Sequence, residues 1–378
     1  MYFLWIAFFI FLVSYIESNG YTKRFLCIDN NVSRKSILIR VIFFVIFSVL
    51  LGLQYNVGTD YFSYVKIFSD KNVAYYYYQK QEYLFYFFSC LIVDLNLHPQ
   101  FGFVFLSLIQ FFCITSFVKF LKINSSLIFF FLFFTVSTFF FNQTNVIRQY
   151  TAATILLLFV KYTYEKKYIG MIMSLLCASM FHISAILFIP MFLIVKIFRK
   201  KLPSFVWIVY LIISVIMIRV NFVSLMISLV PFLSRYSHYL DSVWGTNQIS
   251  LINILTKIIY IPFYLFSLKA LKKMDNKKDV MLFQLGFFSY GIKLICLSSS
   301  MLNRFTVYFE FFTILPLYYL FYNIYDKVIK IKYFNQLFVF IFYCITVGLL
   351  CLKTLVIPAA EYDYQSIFMA MFKGIYDI

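Results

Sequence analysis

Arg148, Arg235 and Arg304 each sit in a short polar segment beside an apolar stretch: 142–150, 234–239 and 303–308. A guanidinium in or near the first turns of an apolar helix is costly unless compensated. It tends to line a cavity or hold an anion. Three such forked cations suit a diphosphate, whose oxygens match their paired donors. Plainer readings stand beside this one: Arg148 can snorkel or pair with a carboxylate, and Arg304 can pair with Glu310.

The complementary chemistry, accepting a proton from a hydroxyl, falls to Asp60 and His182. Asp60 lies in the run 52–61, where Gly58 can take backbone angles closed to other residues and Thr59 or Asp60 can cap a following helix. His182, in Phe181-His182-Ile183-Ser184-Ala185, can exchange a proton near neutrality or serve as a packing residue. His98 and His238 stand in less distinctive surroundings, and no metal-binding spacing is present. Asn145, Gln149 and Asn303 are short polar groups suited to sugar hydroxyls, although capping accounts equally well for an asparagine. Tyr61 offers a flat face and a hydroxyl. Glu82 opens a helical stretch and reads as a carboxylate near a helix N-terminus.

The elements that must position these residues are apolar runs, at roughly 1–16, 36–55, 100–118, 126–141, 145–162, 168–181, 184–198, 205–229, 250–268, 280–298, 304–326 and 334–353, about twelve candidate spans. Most basic residues fall in clusters such as Lys196/Arg199/Lys200/Lys201 and Lys269/Lys272/Lys273/Lys277/Lys278. Placing those in the cytoplasm puts all the polar segments above on the opposite face. The stretch 83–97 then cannot span without inverting every later loop. It reads as a re-entrant or interfacial helix in a long outer segment, 56–99, with a second outer loop at 230–249. The first run lacks the basic start and cleavage site of a secretory signal and reads as a retained helix.

Composition agrees, since 63% hydrophobic and 13% charged residues in a chain of 378 leave too little polar surface for a soluble globule. The net charge of +18 is dispersed beside apolar runs, which reads as a topology signal and excludes a nucleic-acid face. The 52 Phe and 32 Tyr fit helix contacts and interfacial belts. The seven cysteines form no close ligand-like pair and indicate neither disulfides nor zinc. The expectation is an all-α fold: a single domain, 1–378, forming a polytopic membrane helix bundle.

The segments GLQYNVGTDYFSY (52–64), NVIRQYTA (145–152), FHISAI (181–186), SRYSHY (234–239) and NRFTVYF (303–309) resemble, in order and context, the EpsG-type branch of bacterial O-antigen and exopolysaccharide polymerases, often called Wzy. The VGTDY and N-x-x-RQ segments are the specific part. The chain departs from the family in having Gln54 where an arginine is common. The resemblance implies a multi-pass protein of the bacterial inner membrane, active on its periplasmic or extracellular face, that needs no cofactor or metal. It would transfer a growing glycan from undecaprenyl diphosphate to the non-reducing-end sugar of another lipid-linked repeat unit. Implied partners are that lipid-linked oligosaccharide, the bilayer, a chain-length regulator and a flippase. Arg148, Arg235 and Arg304 would hold the diphosphate, Asp60 or His182 would act on the acceptor hydroxyl, and Gly58, Thr59, Tyr61, Asn145, Gln149 and Asn303 would line the substrate. A transporter or flippase of lipid-linked sugars is the alternative without catalysis, though the polar segments do not recur as paired halves. A ligase using the same lipid carrier is the catalytic alternative.

Overall fold

The computed structural model describes residues 48–123, 126–137, 139–219, 251–324, 332–356 and 366–367. The expected span 1–16, the loop 230–249, Arg235 and His238 lie outside them. Regular structure among the described residues is helical, apart from an antiparallel bridge between Gln54 and Ser366. Two compact units divide the chain: Met1–Leu193 with Tyr343–Ile378, and Ile194–Phe342.

In the first unit the segment 56–99 holds three short helices, Tyr61–Ile67, Lys71–Gln79 and Tyr83–Asp94. Asp70 caps the second by accepting a hydrogen bond from the Asn72 amide at 2.8 Å. Gln100 opens the 22-residue helix Gln100–Leu121, which ends where Lys122 turns left-handed at φ 54°. One buried amide ties three segments together here. Gln100 Nε2 donates to the Gly52 and Gln54 carbonyls while its Oε1 accepts from the Tyr61 hydroxyl at 3.2 Å. The helix Ile147–Glu165 packs against both Gln100–Leu121 and Tyr168–Phe181, with Gln110 Nε2 donating to Thr151 Oγ1 at 3.1 Å across the first contact.

Large apolar side chains remain uncovered in stripes at helical spacing. Phe101, Phe105, Leu108 and Phe112 line one side of Gln100–Leu121, and Ile169, Ile172, Met173 and Leu176 one side of Tyr168–Phe181. Apolar stripes of this extent belong against lipid.

The expected count of about twelve spans does not hold. Among the described residues four helices are long and apolar enough to cross a bilayer: Gln100–Leu121, Leu251–Lys272, Lys277–Ser298 and Leu337–Thr354. Among the described residues, breaks and short helices in the other runs are the reason. The run 126–141 becomes the 10-residue helix Ser126–Thr135 and the 4-residue Phe139–Asn142, and 304–326 is divided among Arg304–Thr306, Val307–Glu310 and Ile314–Ile324. Tyr168–Phe181 and Ser204–Met217 have 14 residues each, about 21 Å at 1.5 Å per residue against a core of about 30 Å. Ile147–Glu165 has 19 residues but carries Arg148, Lys161 and Glu165. The helix Tyr83–Asp94, at 12 residues, is also short of a span.

The second unit centres on the helix Lys277–Ile295, which packs against Ser204–Met217 and Ile314–Ile324. Asn276 caps it, accepting from the Lys278 amide at 2.9 Å. Gln284, fully buried, closes the helix interruption at 198–202: its Nε2 donates to the carbonyls of Phe198 (2.8 Å) and Lys200 (2.9 Å), and its Oε1 accepts from the Leu202 amide (2.8 Å). Lys293 donates to Glu310 Oε1 at 3.0 Å, both side chains buried. Glu310 is thus a partner of Lys293 inside the second unit.

Gly286 lets the helix Lys277–Ile295 meet the region around Pro316 closely, since a Cβ there would fall 2.5 Å from both the Phe312 carbonyl oxygen and Pro316 Cδ. Gly286→Ala should therefore cost about 1–3 kcal/mol of stability through overpacking. The check is thermal unfolding of the purified protein in detergent, and an unchanged transition would contradict this packing.

Candidate functional site

Glu82 is the residue on which the first unit's polar groups converge. It stands at the N-cap position of Tyr83–Asp94 yet makes no side-chain capping bond. Its carboxylate instead turns inward and is 1% exposed. One oxygen, Oε2, takes a charge-assisted hydrogen bond from Arg148 Nη1. The other, Oε1, lies 3.0 Å from His182 Nδ1 and accepts from the Ile183 amide at 3.3 Å. Three segments separated by 66 and 101 residues thus meet at one carboxylate.

Local structure explains how each partner arrives. Arg148 occupies the first turn of Ile147–Glu165, and its guanidinium lies over the Tyr77 ring at 4.3 Å and the Phe85 ring at 5.3 Å. It also hydrogen-bonds to Tyr64, whose hydroxyl pKa burial pushes up to about 12 against the pull of the Arg148 charge. His182 ends the helix Tyr168–Phe181 in extended backbone, φ −153° and ψ 114°, and the turn Ile183–Phe188 follows at once. That break aims both the imidazole and the Ile183 amide at Glu82.

A second cluster adjoins Arg148 in sequence. Gly58 has φ +76°, and a Cβ there would come within 2.9 Å of Asn145 Oδ1 and 3.1 Å of its Cα. Both the backbone angle and the close approach require glycine. With nothing in the way, Asn145 Oδ1 accepts from the Thr59 amide (2.9 Å), the Asp60 amide (2.9 Å) and Thr59 Oγ1 (3.0 Å). A side chain 85 residues away thereby takes the two amides that lead into Tyr61–Ile67, a helix whose N-cap residue, Asp60, makes no capping bond of its own. Thr59 is exposed and Asp60 half-buried.

The structure therefore brings Gly58, Thr59, Asp60 and Asn145 into one cluster and Arg148 and His182 into another, three residues apart along the chain at Asn145 and Arg148. Gln149 is buried in the helix that carries Arg148. Tyr61 faces the protein interior, its ring stacked on Phe103 at 5.0 Å and its hydroxyl donating to Gln100. Arg304 and Asn303 are exposed in the second unit, at the junction of Ser300–Asn303 with the turn Arg304–Thr306. Arg235 lies outside the described residues. Glu82 is what sequence reasoning missed as a functional partner. The available signal was a shortage: an arginine in an apolar helix needs a counterion, and the outer segment 56–99 offers Asp60, Asp70, Glu82 and Asp94. Among the described residues no three His, Cys, Asp or Glu side chains are grouped to hold a metal.

Charge states follow from the contacts. Burial acts to raise the Glu82 pKa, but the His182 contact and the Arg148 charge outweigh it and hold the carboxyl below its usual range. Burial, with the Arg148 charge, keeps the His182 pKa below the usual imidazole range in spite of Glu82. At neutral pH the junction holds a carboxylate, a guanidinium and a neutral imidazole.

Breaking such a pair leaves a buried charge unanswered, so Arg148→Gln should destabilise the protein by about 3–5 kcal/mol. Glu82→Gln added to it should recover most of that loss, as thermal unfolding of the single and double variants will register. Independent, additive losses would contradict the pairing. Both pKa values are depressed in the fold, so the unfolded chain binds more protons on the acid side and stability falls as pH drops. The His182 contribution declines below about pH 6.5 and that of Glu82 below about pH 4.3. Unfolding followed from pH 7 to pH 4 should show this, with His182→Gln flattening the upper part of the decline; an equal slope in that variant would contradict the assignment.

No curated protein and no solved structure matches the chain. The sequence model of the EpsG family matches residues 37–366, a stretch that contains Gly58, Glu82, Asn145, Arg148, His182 and Arg304. With that coverage, and with a helical architecture that includes helices able to cross a bilayer, the chain belongs to the EpsG family.

Proposed function

We propose that the protein is a membrane glycosyltransferase that polymerises lipid-linked oligosaccharide repeat units of the O-antigen or exopolysaccharide type. Family membership and the helical, bilayer-suited architecture support a polysaccharide-polymerase role in general. The observation that carries the finer reading is the junction of Glu82, Arg148 and His182, where an anion-binding cation and a proton acceptor stand side by side.

In this reading the acceptor sugar's hydroxyl attacks the anomeric carbon of the glycan on undecaprenyl diphosphate. The new C–O bond forms as the bond to the diphosphate breaks, and the leaving diphosphate keeps the electron pair. The hydroxyl proton passes to His182, which is neutral at working pH and half-buried. Arg148 offsets charge developing on the diphosphate, because a five-donor fork can hold Glu82 and a phosphate oxygen together. Thr59, exposed, and Asp60, half-buried, on the loop held by Asn145, offer a hydroxyl and a carboxylate to sugar hydroxyls. Arg304 and Asn303 are assigned to phosphate and sugar on their chemistry, and Arg235 on its sequence context. Basic clusters that mark the cytoplasmic side support an active face on the outer surface of the bacterial inner membrane. A chain-length regulator and a flippase are the expected protein partners.

The test is incubation of the purified protein with a defined undecaprenyl-diphosphate-linked repeat unit. A ladder of added repeats is expected, whereas movement of the lipid across vesicles without bond formation would overturn the enzyme reading. Arg148→Lys keeps the charge and loses the planar fork, so ladder formation should fall on the order of a hundredfold at normal protein yield. Wild-type rates in that variant would reduce Arg148 to a generic positive charge.

A further inference from the structure

We infer that Glu82 is a positioning residue for the transfer reaction, fixing the orientation and tautomer of His182 while holding Arg148 beside it. The inference rests on the polymerase reading above and adds a residue to it.

Three geometric facts carry it. First, Glu82 Oε1 lies 3.0 Å from Nδ1 of His182; the ring is not aligned for an Nδ1–H···O hydrogen bond here, but a carboxylate at that distance repels a lone pair and favours the tautomer with its proton on Nδ1. The lone pair is then on Nε2, the nitrogen turned away from Glu82 and able to take a proton from a hydroxyl. Second, the same Oε1 accepts the Ile183 amide, the first peptide after the imidazole, so Glu82 fixes the backbone at the break as well as the ring. Third, Oε2 is taken by Arg148, which is stacked on Tyr77 and therefore cannot swing away without losing that face. With Arg148 and the Ile183 amide holding it, the carboxylate is 1% exposed and has little freedom to turn from the ring.

The charged and titratable groups facing His182 are Glu82 from the start of Tyr83–Asp94, Arg148 from Ile147–Glu165 and Lys80 from the turn before Glu82. Tyr77 and Tyr64 flank the guanidinium. Of these, Glu82 alone carries negative charge at neutral pH. Its removal leaves His182 facing only cations.

Two readouts test the inference. The His182 imidazole can be titrated by NMR in detergent, its resonance assigned by loss in His182→Gln, and the pH profile of ladder formation can be measured alongside. Glu82→Gln should move the His182 titration and the acid limb of the rate profile together to lower pH and lower the plateau rate about tenfold or more. Glu82→Asp retains the charge but is a methylene shorter, so it should recover the titration in part. If Glu82→Gln does not accumulate, Glu82→Asp carries the test, with a smaller shift in the same direction. A titration and acid limb unmoved in these variants, with the rate lowered only through protein yield, would overturn the positioning role while leaving the polymerase reading intact. A shifted titration in a protein whose wild type builds no ladder would overturn the role in transfer through the failure of that reading, with the ion-pair geometry still standing.

Discussion

A carboxylate that loses contact with water must find cations or donors, and in the first unit that requirement falls on Glu82. Its two oxygens are shared among Arg148, His182 and the Ile183 amide, which belong to three separate stretches of chain. Each would be costly alone. A guanidinium opening a helix of Ile, Leu, Val and Phe needs a counterion, and a helix broken at His182 leaves a peptide N–H to satisfy. The charge on Glu82 meets both needs, and the same contact joins a cation to a proton acceptor.

Side-chain amides do the equivalent work where no charge is available. Gln100 answers the Gly52 and Gln54 carbonyls, Asn145 supplies the acceptor for the turn at Gly58, and Gln284 closes the helix interruption at 198–202. All answer backbone groups left open where a helix starts or stops. An apolar interior rich in aromatic rings offers no water for those groups, so each interruption of a helix has to be met by a nearby polar side chain. The polar residues that punctuate the apolar runs are in this sense structural first. Those left at a junction with capacity to spare, Arg148 and His182 above all, are available for chemistry.

The sequence made some of this legible. The segments around Gly58, Asn145 and His182 stand out because polar residues between apolar runs are few, and Gly58 reads as a residue able to take angles closed to others. The docking of Gly58 on Asn145 is not legible there, because it depends on tertiary approach across 85 residues. Glu82 read as a carboxylate near a helix start, and its position is indeed at one, but helix polarity gives no hint that the side chain turns inward. Span count failed for a related reason. Hydropathy measures how apolar a run is, whereas crossing a bilayer also needs an unbroken helix, and the breaks at 136–137 and at 311–313 leave no mark on hydropathy. Tyr61 was read as a possible sugar contact because of its motif, but its ring found Phe103 and its hydroxyl found Gln100.

The central claim is that one buried carboxylate holds the guanidinium and the imidazole in register for a sugar and its diphosphate. Electron cryomicroscopy of the full chain with a bound undecaprenyl-diphosphate-linked repeat unit tests it most directly. The account predicts Glu82 between Arg148 and His182, with a sugar hydroxyl within hydrogen-bond distance of His182 Nε2. Glu82 turned away from both partners, or the sugar bound with His182 out of reach, would contradict it.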